Sequence, residues 1–488
     1  MSATKEDLFE TTCGLEIHVE LATASKMFCG CRVDFGGEPN TRTCPVCLGL
    51  PGSLPVANEK AVEYTMKIGL ALNCKIADYS LFHRKNYFYP DMPKNYQISQ
   101  YDLPLCYAGH VEIAGDWGTT TVGITRVHLE EDTGKSIHVG GSGRIHDSTY
   151  SLEDFNRAGT PLVEIVSEPD IHSAAEARAF VSELRMLLEG LGVSDVRMEE
   201  GSLRIDANIS VRRKGETEHG TKVEVKNMNS VRSVGRALEY EERRQREALE
   251  AGELLVQETR HFDEKSSTTS PGRTKEGSSD YRYFPEPDLV PFEPSAEWIE
   301  RVASSLGETP TQRRARFASE YALGAADIDV LTATSATADW FEAAARAYGG
   351  DSKKVANWIM ADLFGLLNEA SIELSQSKIA PEQLAGLVKL VDGKSISGKQ
   401  AKAVLAEMFA GGKDAAVIAK EKGLEQISDA GALETVVEEV IAENAEAADK
   451  VRAGNLGTIG FLVGRVMKKS GGQANPGLVN ELLRKKLT

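Results

Sequence analysis

The sequence predicts an α+β protein, in which a strand-rich part with an antiparallel sheet over residues 1–293 precedes a helical part over residues 294–488. Two observations predict this class. Before Pro294, several segments alternate apolar and polar residues with the period of two that a half-buried strand requires. After Pro294, the chain becomes rich in alanine and leucine and carries few strand signals. A run of strands followed by a run of helices is typical of α+β proteins or of separate domains.

The first predicted strand covers residues 15–21, where apolar residues at the odd positions alternate with Glu16 and His18. Similar alternation predicts strands over residues 203–211 and 222–226. Because successive side chains of a strand point to opposite faces, each of these strands has one apolar and one polar face. The pattern therefore favours a sheet that buries one face in the core.

One helix is clear within the strand-rich part, where one or two helices are expected. Ser173 and Glu176 form a capping box, and apolar residues with helical spacing follow up to Leu191. Residues 264–280, rich in Ser, Thr and Gly, predict a long loop. The Gly411-Gly412 pair interrupts the later helical sequence and predicts a hinge. The chain is therefore expected to form three domains, over residues 1–293, 294–410 and 411–488.

The composition excludes several classes of protein. The 488 residues are 41% hydrophobic and 26% charged, which is an ordinary globular mixture rather than that of a disordered chain. With 56 basic and 73 acidic residues, the net charge of −17 argues against binding nucleic acid by overall charge. We find no apolar run of membrane-spanning length and no apolar signal segment at the start, so a cytoplasmic protein is expected. Seven cysteines, an odd number, favour a reducing compartment over a disulfide framework.

Carboxylates, one histidine and several cations gather on the polar faces of the predicted strands. Mg²⁺ prefers a few carboxylates together with phosphate oxygens, and nearby cations neutralise the remaining phosphate charge. The pattern therefore predicts a divalent metal and nucleotide site, although a solvated sheet face with surface ion pairs is the alternative. The acids and the histidine concerned are Glu16, His18, Glu130, Glu131, Glu164 and Glu224, with Lys222 and Lys226 beside Glu224.

Four cysteines form two close pairs, twelve residues apart, among Gly- and Pro-containing turns. Four thiolates in such pairs suit tetrahedral zinc, and a closed set of four leaves no open position for chemistry. The spacing therefore predicts a structural zinc site, and four ordinary thiols are the alternative. The predicted ligands are Cys29, Cys31, Cys44 and Cys47.

Residues 83–102 interleave tyrosines and a phenylalanine with Arg84, Lys85 and Lys94. Such mixtures stack bases and bind phosphates, and a structural loop held by aromatic rings is an equal alternative. We find no Gly-x-Cys-x-Gly or Gly-x-Ser-x-Gly elbow, so no nucleophile for amide hydrolysis is evident.

Several longer motifs resemble the B subunits of aspartyl/glutamyl-tRNA(Asn/Gln) amidotransferases, the GatB family. They include GLEIHVEL at 14–21, RKNYFYPDMPKNYQISQYD at 84–102, HLEEDTGKS at 128–136 and NRAGTPLVEIVSEPD at 156–170. The resemblance continues through MEEGSLRIDANIS at 198–210, KVEVKNMNS at 222–230, DYRYFPEPDLVP at 280–291 and GFLVGRVMKKSGGQANPGLVN at 460–480. It therefore covers nearly the whole chain. The related archaeal E subunit carries an additional domain, for which 488 residues leave no room.

The resemblance implies a cradle domain of the glutamine synthetase/guanido kinase type, a helical domain and a small YqeY-like tail that binds tRNA. It implies that ATP and Mg²⁺ phosphorylate the side-chain carboxylate of Glu-tRNA(Gln) or Asp-tRNA(Asn), which ammonia then amidates. The implied partners are an amidase A subunit that releases ammonia from glutamine, a small C subunit and the tRNA. The synthetase that makes the misacylated tRNA is a further expected partner.

The resemblance can be applied to individual residues. It implies one set of residues that bind metal and ATP on the strand faces, and a second set that contacts or supports the reacting groups. The structural role of zinc is also implied, because some members of the family have replaced these cysteines. The metal and cofactor ligands are Glu16, His18, Glu130, Glu164 and Glu224. Besides Glu130, the residues for phosphate contact, ligand support or the ammonia channel are Glu131, Arg204, Asp206 and Lys222.

Two other functions stay open at this point. A free-standing ligase of the glutamine synthetase type would amidate a small acid without tRNA, and a zinc- and tRNA-binding scaffold would turn over no ATP. The C-terminal end weighs against the former: residues 451–488 contain seven basic residues and one acid, a local charge of +6 in a chain of −17. Such a patch suits phosphates of a tRNA body.

Overall fold

The computed structural model describes residues 8–140, 148–274, 281–424, 430–470, 474 and 476–487. It divides into two compact units, residues 1–311 and 312–488. The first is a mixed α/β unit with a large sheet, and the second is helical. Within the described ranges, no helix combines the length and the apolar character needed to cross a membrane.

The strands of the first unit form three sheets. Along the chain they are β1 (Phe9–Glu20), β2 (Lys75–Ile76), β3 (His83–Asn86), β4 (Tyr96–Ser99), β5 (Cys106–Gly115), β6 (Gly118–Glu131), β7 (Lys135–Val139), β8 (Tyr150–Asp154), β9 (Pro161–Ser167), β10 (Leu203–Arg213), β11 (Val223–Lys226), β12 (Glu258–Asp263), β13 (Thr268–Thr274) and β14 (Phe284–Pro285).

The large sheet has the strand order β13-β12-β11-β10-β1-β9-β6-β5-β2. All neighbours in it pair antiparallel except β11 and β12, which pair parallel. Strands β14, β3 and β4 form a second sheet, and β7 pairs with β8. The strands predicted over residues 15–21, 203–211 and 222–226 are confirmed as β1, β10 and β11, and β1 lies in the middle of the large sheet.

Helices α1 (Glu59–Ala71), α2 (Ala174–Gly190), α3 (Val231–Ala251) and α4 (Ala296–Ser304) complete the first unit. The first three contact β6, β5 and β10 in turn. Leu15, Ile17 and Val19 on β1 are at most 1% exposed in the core, so the alternate polar residues lie on the opposite face of the sheet.

Helix α2 confirms the predicted helix, with one difference at its cap. The Ser173 hydroxyl accepts from the backbone N–H of Glu176, at 3.1 Å, but the Glu176 carboxylate accepts from the backbone N–H of His172 instead of Ser173. The expectation of one or two helices in this part is wrong, because α1 and α3 are also present within residues 1–293. The Asn58 side chain caps α1. Helix α3 contains many charged residues, so the apolar stripe that it buries, which includes Val234 and Leu238, is hard to recognise in the sequence.

The loop predicted over residues 264–280 is shorter in the structure. Strand β13 occupies its middle and pairs antiparallel with β12, because a Thr-rich segment fits the pleated edge of a sheet. Residues 275–280 of the predicted loop lie outside the described residues.

The helical unit contains two hydrophobic clusters, one within residues 317–419 and one within residues 433–487. Helix α11 ends at Gly411, and Gly412 caps it with a φ of 70°, which favours glycine. With α5 reaching back to Pro310, the helices are α5 (Pro310–Glu320), α6 (Ala325–Leu331), α7 (Ser335–Tyr348), α8 (Ser352–Asn357), α9 (Phe364–Ala370), α10 (Pro381–Asp392), α11 (Gly398–Gly411), α12 (Ala415–Glu421), α13 (Ala430–Glu443), α14 (Ala445–Arg452), α15 (Ile459–Lys469) and α16 (Pro476–Leu487).

Candidate active site

The register of the large sheet places polar side chains in rows across its polar face. His18 on β1 lies opposite Glu164 on β9 and Arg204 on β10, and Glu164 lies opposite His128 on β6. Directly paired residues of an antiparallel sheet share a face, so these four side chains form one row. Glu164 and Arg204 carry charge, and the two histidines gain it on protonation, so ionisable groups gather at the centre of the sheet.

Three of the predicted ligands converge in this region. His18 Nε2 lies 3.6 Å from Glu130 Oε1 and 3.6 Å from Glu164 Oε2. One potential ligand atom from each of the three residues lies within 4.8 Å of the other two. Two carboxylate oxygens and an imidazole nitrogen at these separations fit a divalent cation and leave further positions for phosphate oxygens or water.

The electrostatics of this acidic centre, defined as His18, Glu130 and Glu164, differ from one carboxylate to the other. Burial and then the Glu164 charge raise the pKa of Glu130. Burial opposes the ionisation of Glu164 as well, but His128 and His18 hold the pKa of its carboxyl below the usual range. Burial lowers the pKa of His128 to about 4. A bound cation would relieve the repulsion between the two carboxylates.

Polar and cationic groups surround the acidic centre. The Ser99 hydroxyl donates to Glu130 Oε2 at 3.2 Å, and Arg126 Nη2 lies 3.4 Å from Glu164 Oε1. Burial would lower the pKa of Lys85, but Glu130 and Glu164 contribute to raising it. Lys85 therefore stays charged beside the two carboxylates, where it suits an anionic ligand.

Glu16 and Glu224, also predicted as ligands, lie on the same face but farther along their strands. Glu16 is two residues before His18, and Glu16 Oε1 accepts from Asn208 Nδ2 at 2.9 Å. Asn208 is in turn the register partner of Glu224 on β11. Glu224 accepts from the Thr259 hydroxyl at 2.6 Å. These acids form a second polar group beside the acidic centre.

The weaker candidates have different surroundings. Arg204 Nη2 donates to Asp132 Oδ2 at 2.7 Å, and Asp206 pairs with Lys226. Glu131 is 2% exposed and pairs with Lys94, whereas the adjacent Glu130 faces His18. Arg204 and Asp206 thus share the polar face, and Glu131 belongs to a separate buried ion pair.

Lys222 lines a cavity of about 260 Å³ that begins next to Glu16. Gly14 and Gly220 line it without side chains, and Val166 and Pro169 supply apolar surface. The cavity combines an apolar wall with a cation close to the acids, which suits a small ligand with a ring and an anionic group.

Sequence reasoning missed several polar residues of this face. Burial and then Asp132 raise the pKa of Glu20 to about 8, so Glu20 is protonated beside Asp132 at neutral pH. The alternation along β1 already placed Glu20 with Glu16 and His18 and gave a signal for it. No such pattern in the sequence pointed to Arg126 or Asp132, because only the pairing of strands brings them to this face.

The predicted cysteines form one cluster, in which the Sγ atoms of Cys29, Cys31, Cys44 and Cys47 lie within 4.8 Å of one another. This donor set fits tetrahedral zinc. Lys26 is 1% exposed, and its Nζ donates to the backbone oxygens of Arg42 at 2.8 Å and Phe155 at 3.3 Å and lies 3.7 Å from Cys47 Sγ. A hydrogen bond from Cys29 and the nearby Lys26 charge contribute to lowering the pKa of Cys47 to about 4.

The first unit thus combines a mixed α/β fold, an acidic centre on its sheet and a four-cysteine cluster. Comparison with known proteins identifies the family. The family described as GatB/GatE catalytic domain matches residues 11–300, and the one described as GatB domain matches residues 339–487. The first match alone spans more than half of the 488 residues. The chain belongs to the GatB/GatE family.

Full-length relatives support this family assignment. A protein from Moorella thermoacetica is 54% identical over 479 residues, which cover 98% of this chain and 100% of the relative. Proteins from Carboxydothermus hydrogenoformans and Caldanaerobacter subterraneus subsp. tengcongensis are each 52% identical, over 98% of this chain and 99% of the relative. All three are named as the B subunit of an aspartyl/glutamyl-tRNA(Asn/Gln) amidotransferase.

Proposed function

We propose that this chain is the subunit of a tRNA-dependent amidotransferase that activates and amidates the side-chain carboxylate of misacylated Glu-tRNA(Gln), Asp-tRNA(Asn) or both. The observation that carries the proposal is the convergence of His18, Glu130 and Glu164 on the polar face of the sheet. Membership in the GatB/GatE family, with relatives that are named for this activity, supports it.

The chemistry explains why such a centre is needed. A carboxylate reacts poorly with ammonia, because its charge repels the nucleophile and oxide is a poor leaving group. In the proposed reaction a carboxylate oxygen attacks the γ-phosphorus of ATP, and ADP leaves. Ammonia then attacks the acyl carbon, inorganic phosphate leaves and an amide remains. Phosphoryl transfer asks the protein mainly for in-line positioning and for neutralisation of charge.

Each group on the polar face has a proposed part in this reaction. His18, Glu130 and Glu164 hold Mg²⁺, which supplies charge neutralisation at the phosphates when bound. Glu16 and Glu224 add carboxylates for ATP-bound metal on the same face. Lys85 and Arg126 lie beside the acids, where cations meet phosphate oxygens.

Arg204 and Asp206 support the ligands from β10, where each pairs with an opposite charge. The cavity next to Glu16 takes the nucleoside of ATP, with Lys222 at its wall. Glu131, paired with Lys94, is proposed for phosphate contact, ligand support or the ammonia channel.

The proposed fold of residues 1–293 is a cradle of the glutamine synthetase/guanido kinase type with a zinc-binding insertion. A mainly antiparallel sheet, with polar residues on one face and helices packed on the other, supports it. Residues 294–410 form a helical domain and residues 411–488 a YqeY-like tail that binds tRNA. The separate hydrophobic cluster within residues 433–487 supports an independent tail over those residues, whereas α12 packs into the cluster of α10 and α11.

The proposed assembly contains an amidase A subunit that releases ammonia from glutamine and a small C subunit. The missing nucleophile elbow in the sequence supports a separate amidase. The tRNA is the substrate, and the synthetase that charges it is a further partner.

An amidation assay with each misacylated tRNA tests the function. The complex with its partners should convert Glu-tRNA(Gln) or Asp-tRNA(Asn) to the amide with ATP and glutamine. The chain alone should be inactive with glutamine, while ammonium salts should restore part of the activity. Glutamine-dependent amidation by the chain alone, or a complex that amidates neither tRNA, would contradict the proposal.

A further inference from the structure

Four tyrosines from two distant segments of the chain meet in one cluster beside the acidic centre. Tyr101 and Tyr283 stack with ring centroids 4.3 Å apart and planes 8° from parallel. Tyr281 meets Tyr283 edge-on at 6.2 Å and meets Tyr87 at 6.0 Å. We call these four residues the tyrosine platform.

The platform is continuous with the acidic centre through Lys85. The Lys85 ammonium lies 5.2 Å from the centroid of the Tyr281 ring. The same lysine interacts electrostatically with Glu130 and Glu164. The charges of Glu130 and Glu164 also contribute to raising the pKa of Tyr283, after burial. The platform therefore borders the place where the carboxylate is proposed to react.

One ring of the platform faces solvent. Tyr101 is 56% exposed although Tyr283 covers one face of its ring, which leaves the opposite face available to a ligand. The connection from β3 to β4 carries two more rings at the surface, Phe88 at 80% exposed and Tyr89 at 41%. Exposed rings arranged along a surface are typical of sites where successive unpaired bases stack.

Packing alone does not account for the cluster. His83 lies edge-on to both Tyr101 and Tyr283 and is 6% exposed, and its Nε2 lies 3.2 Å from Asp102 Oδ1. Among the described residues, Nδ1 of His83 has no hydrogen-bond partner. A buried polar atom without a partner costs free energy, so the cluster holds an unused polar group next to the stacked rings.

We infer that the tyrosine platform binds the unpaired 3′-terminal nucleotides of the tRNA, with the base of the terminal adenosine stacked on Tyr101. The inference rests on the proposed function, because the aminoacyl ester at the 3′ terminus must bring its side-chain carboxylate to the acidic centre. The terminal base then lies next to that centre, where the platform is. The cationic Lys85 suits the accompanying backbone phosphate.

The adenine of ATP is the other base that the enzyme would bind. The cavity beside Glu16 already offers the nucleoside an apolar wall, whereas the rings of Tyr101, Phe88 and Tyr89 lie at the surface. Several exposed rings fit a strand of nucleotides better than one nucleoside. The platform is therefore assigned to the tRNA.

A double-mutant cycle between protein and tRNA tests the inference. The complex of this chain with its partner subunits is titrated with uncharged tRNA, either complete or lacking its terminal adenosine. For the wild type, removal of the adenosine should weaken binding about 5- to 100-fold, the range that corresponds to loss of one base–aromatic stack. For Tyr101→Ala, complete tRNA should bind that much more weakly, and removal of the adenosine should change binding by less than about twofold.

Two further variants separate stacking from folding. Tyr101→Phe keeps an aromatic ring and should show the wild-type dependence on the adenosine. Tyr150→Ala removes a tyrosine that is also 56% exposed, on β8, and should leave tRNA binding unchanged. Tyr101→Ala should lower the temperature of thermal unfolding only slightly, because the residue is 56% exposed and its main loss is the stack on Tyr283.

Independent effects of Tyr101→Ala and of adenosine removal would overturn the inference. So would a variant whose KM for ATP rises while its tRNA binding is unchanged, since the platform would then hold the nucleotide base of ATP. A wild-type complex that binds tRNA but does not amidate it would contradict the proposed function. The double-mutant cycle on tRNA binding would still test the tyrosine platform.

Discussion

His18 and Glu164 lie directly opposite each other on β1 and β9, with Nε2 and Oε2 3.6 Å apart. The register of two central strands therefore fixes this contact, and neither side chain needs a flexible loop to reach the other. Because both strands lie inside the sheet, the site is held by a rigid scaffold, as phosphoryl transfer requires.

Glu130→Gln should abolish ATP-dependent amidation, with a loss of more than about a hundredfold in kcat, because a metal site that contributes several kcal/mol loses a charged ligand. The fold and the glutaminase activity of the partner should persist. Glu239→Gln, at an exposed glutamate on α3, is the matched control. Near-normal amidation by Glu130→Gln would remove Glu130 from the site.

Cys44→Ser should lose the structural zinc and destabilise the neighbouring segment without unfolding the unit, whose large core lies elsewhere. Lys26→Met should keep four thiols but lose zinc to a chelator about 10- to 100-fold faster, because the hydrogen bond to Cys47 disappears. Elemental analysis and chelator competition measure both effects. Protein that is prepared without chelators and contains no zinc would contradict this assignment.

Removal of the tail should raise the KM for aminoacyl-tRNA strongly and leave the basal glutaminase activity of the partner unchanged. The truncation is best placed after Leu424, because Ala415, Ile418 and Ala419 are buried in the same cluster as α10 and α11. A well-folded truncation that binds and amidates tRNA normally would show that the tail does not bind tRNA.

Single lysines refine this test, because acids on α13 offset part of the basic tail. Both Lys468 and Lys469 are exposed. Lys469 pairs with Glu439 and Glu443, whereas Lys468 forms no salt bridge with any described residue. Lys468→Ala should weaken tRNA binding and lower its salt dependence by about one phosphate contact, whereas Lys469→Ala should have a smaller effect. Equal effects of the two substitutions would contradict this distinction. The sequence also predicts a turn at Gly471-Gly472, and these two residues lie outside the described residues.

In the helical unit, Glu342 should make stability depend on acid pH. Burial opposes its ionisation, but Arg316 and Arg313 hold its pKa at about 2, below the usual 4.5. Because the folded-state pKa is depressed, the stabilisation is complete above about pH 4.5 and is lost as the pH falls toward 2. Glu342→Gln should therefore cost on the order of 2 kcal/mol at pH 7, after allowance for solvent screening.

Thermal unfolding from pH 7 to pH 2 measures this effect. The difference between wild type and Glu342→Gln should shrink as the pH falls. Glu369→Gln, at an exposed position of α9, is the control and should show a small, constant difference. A constant difference for Glu342→Gln would contradict the role of its charge.

The sequence predicted strand faces better than contacts between strands. Period-two alternation on β1 correctly placed Glu16 and His18 on one face, because side-chain direction is a local property of a strand. That Glu164 lies opposite His18, or that Arg204 reaches Asp132, depends on which strands pair and in which register. Those choices are non-local, and a single sequence carries little signal for them.

Helices with mixed composition were harder to predict. Helix α3 is rich in Glu and Arg, so few apolar residues mark its buried face in the sequence. Helix α2 has a long Leu-rich stripe, and this stripe predicted the helix correctly. The zinc ligands were predictable because their spacing is local, but the buried Lys26 beside them was not. The tyrosine platform combines residues 87 and 101 with residues 281 and 283, so only folding brings its rings together.

The most direct test of the account follows oxygen from the substrate. Misacylated tRNA whose glutamyl or aspartyl side-chain carboxylate carries ¹⁸O is amidated by the complete complex with unlabelled ATP, and the released inorganic phosphate is analysed by mass spectrometry. If this chain phosphorylates the carboxylate, each phosphate carries one oxygen from the side chain, and Glu130→Gln forms no labelled phosphate. Amidation that releases unlabelled phosphate would contradict the account.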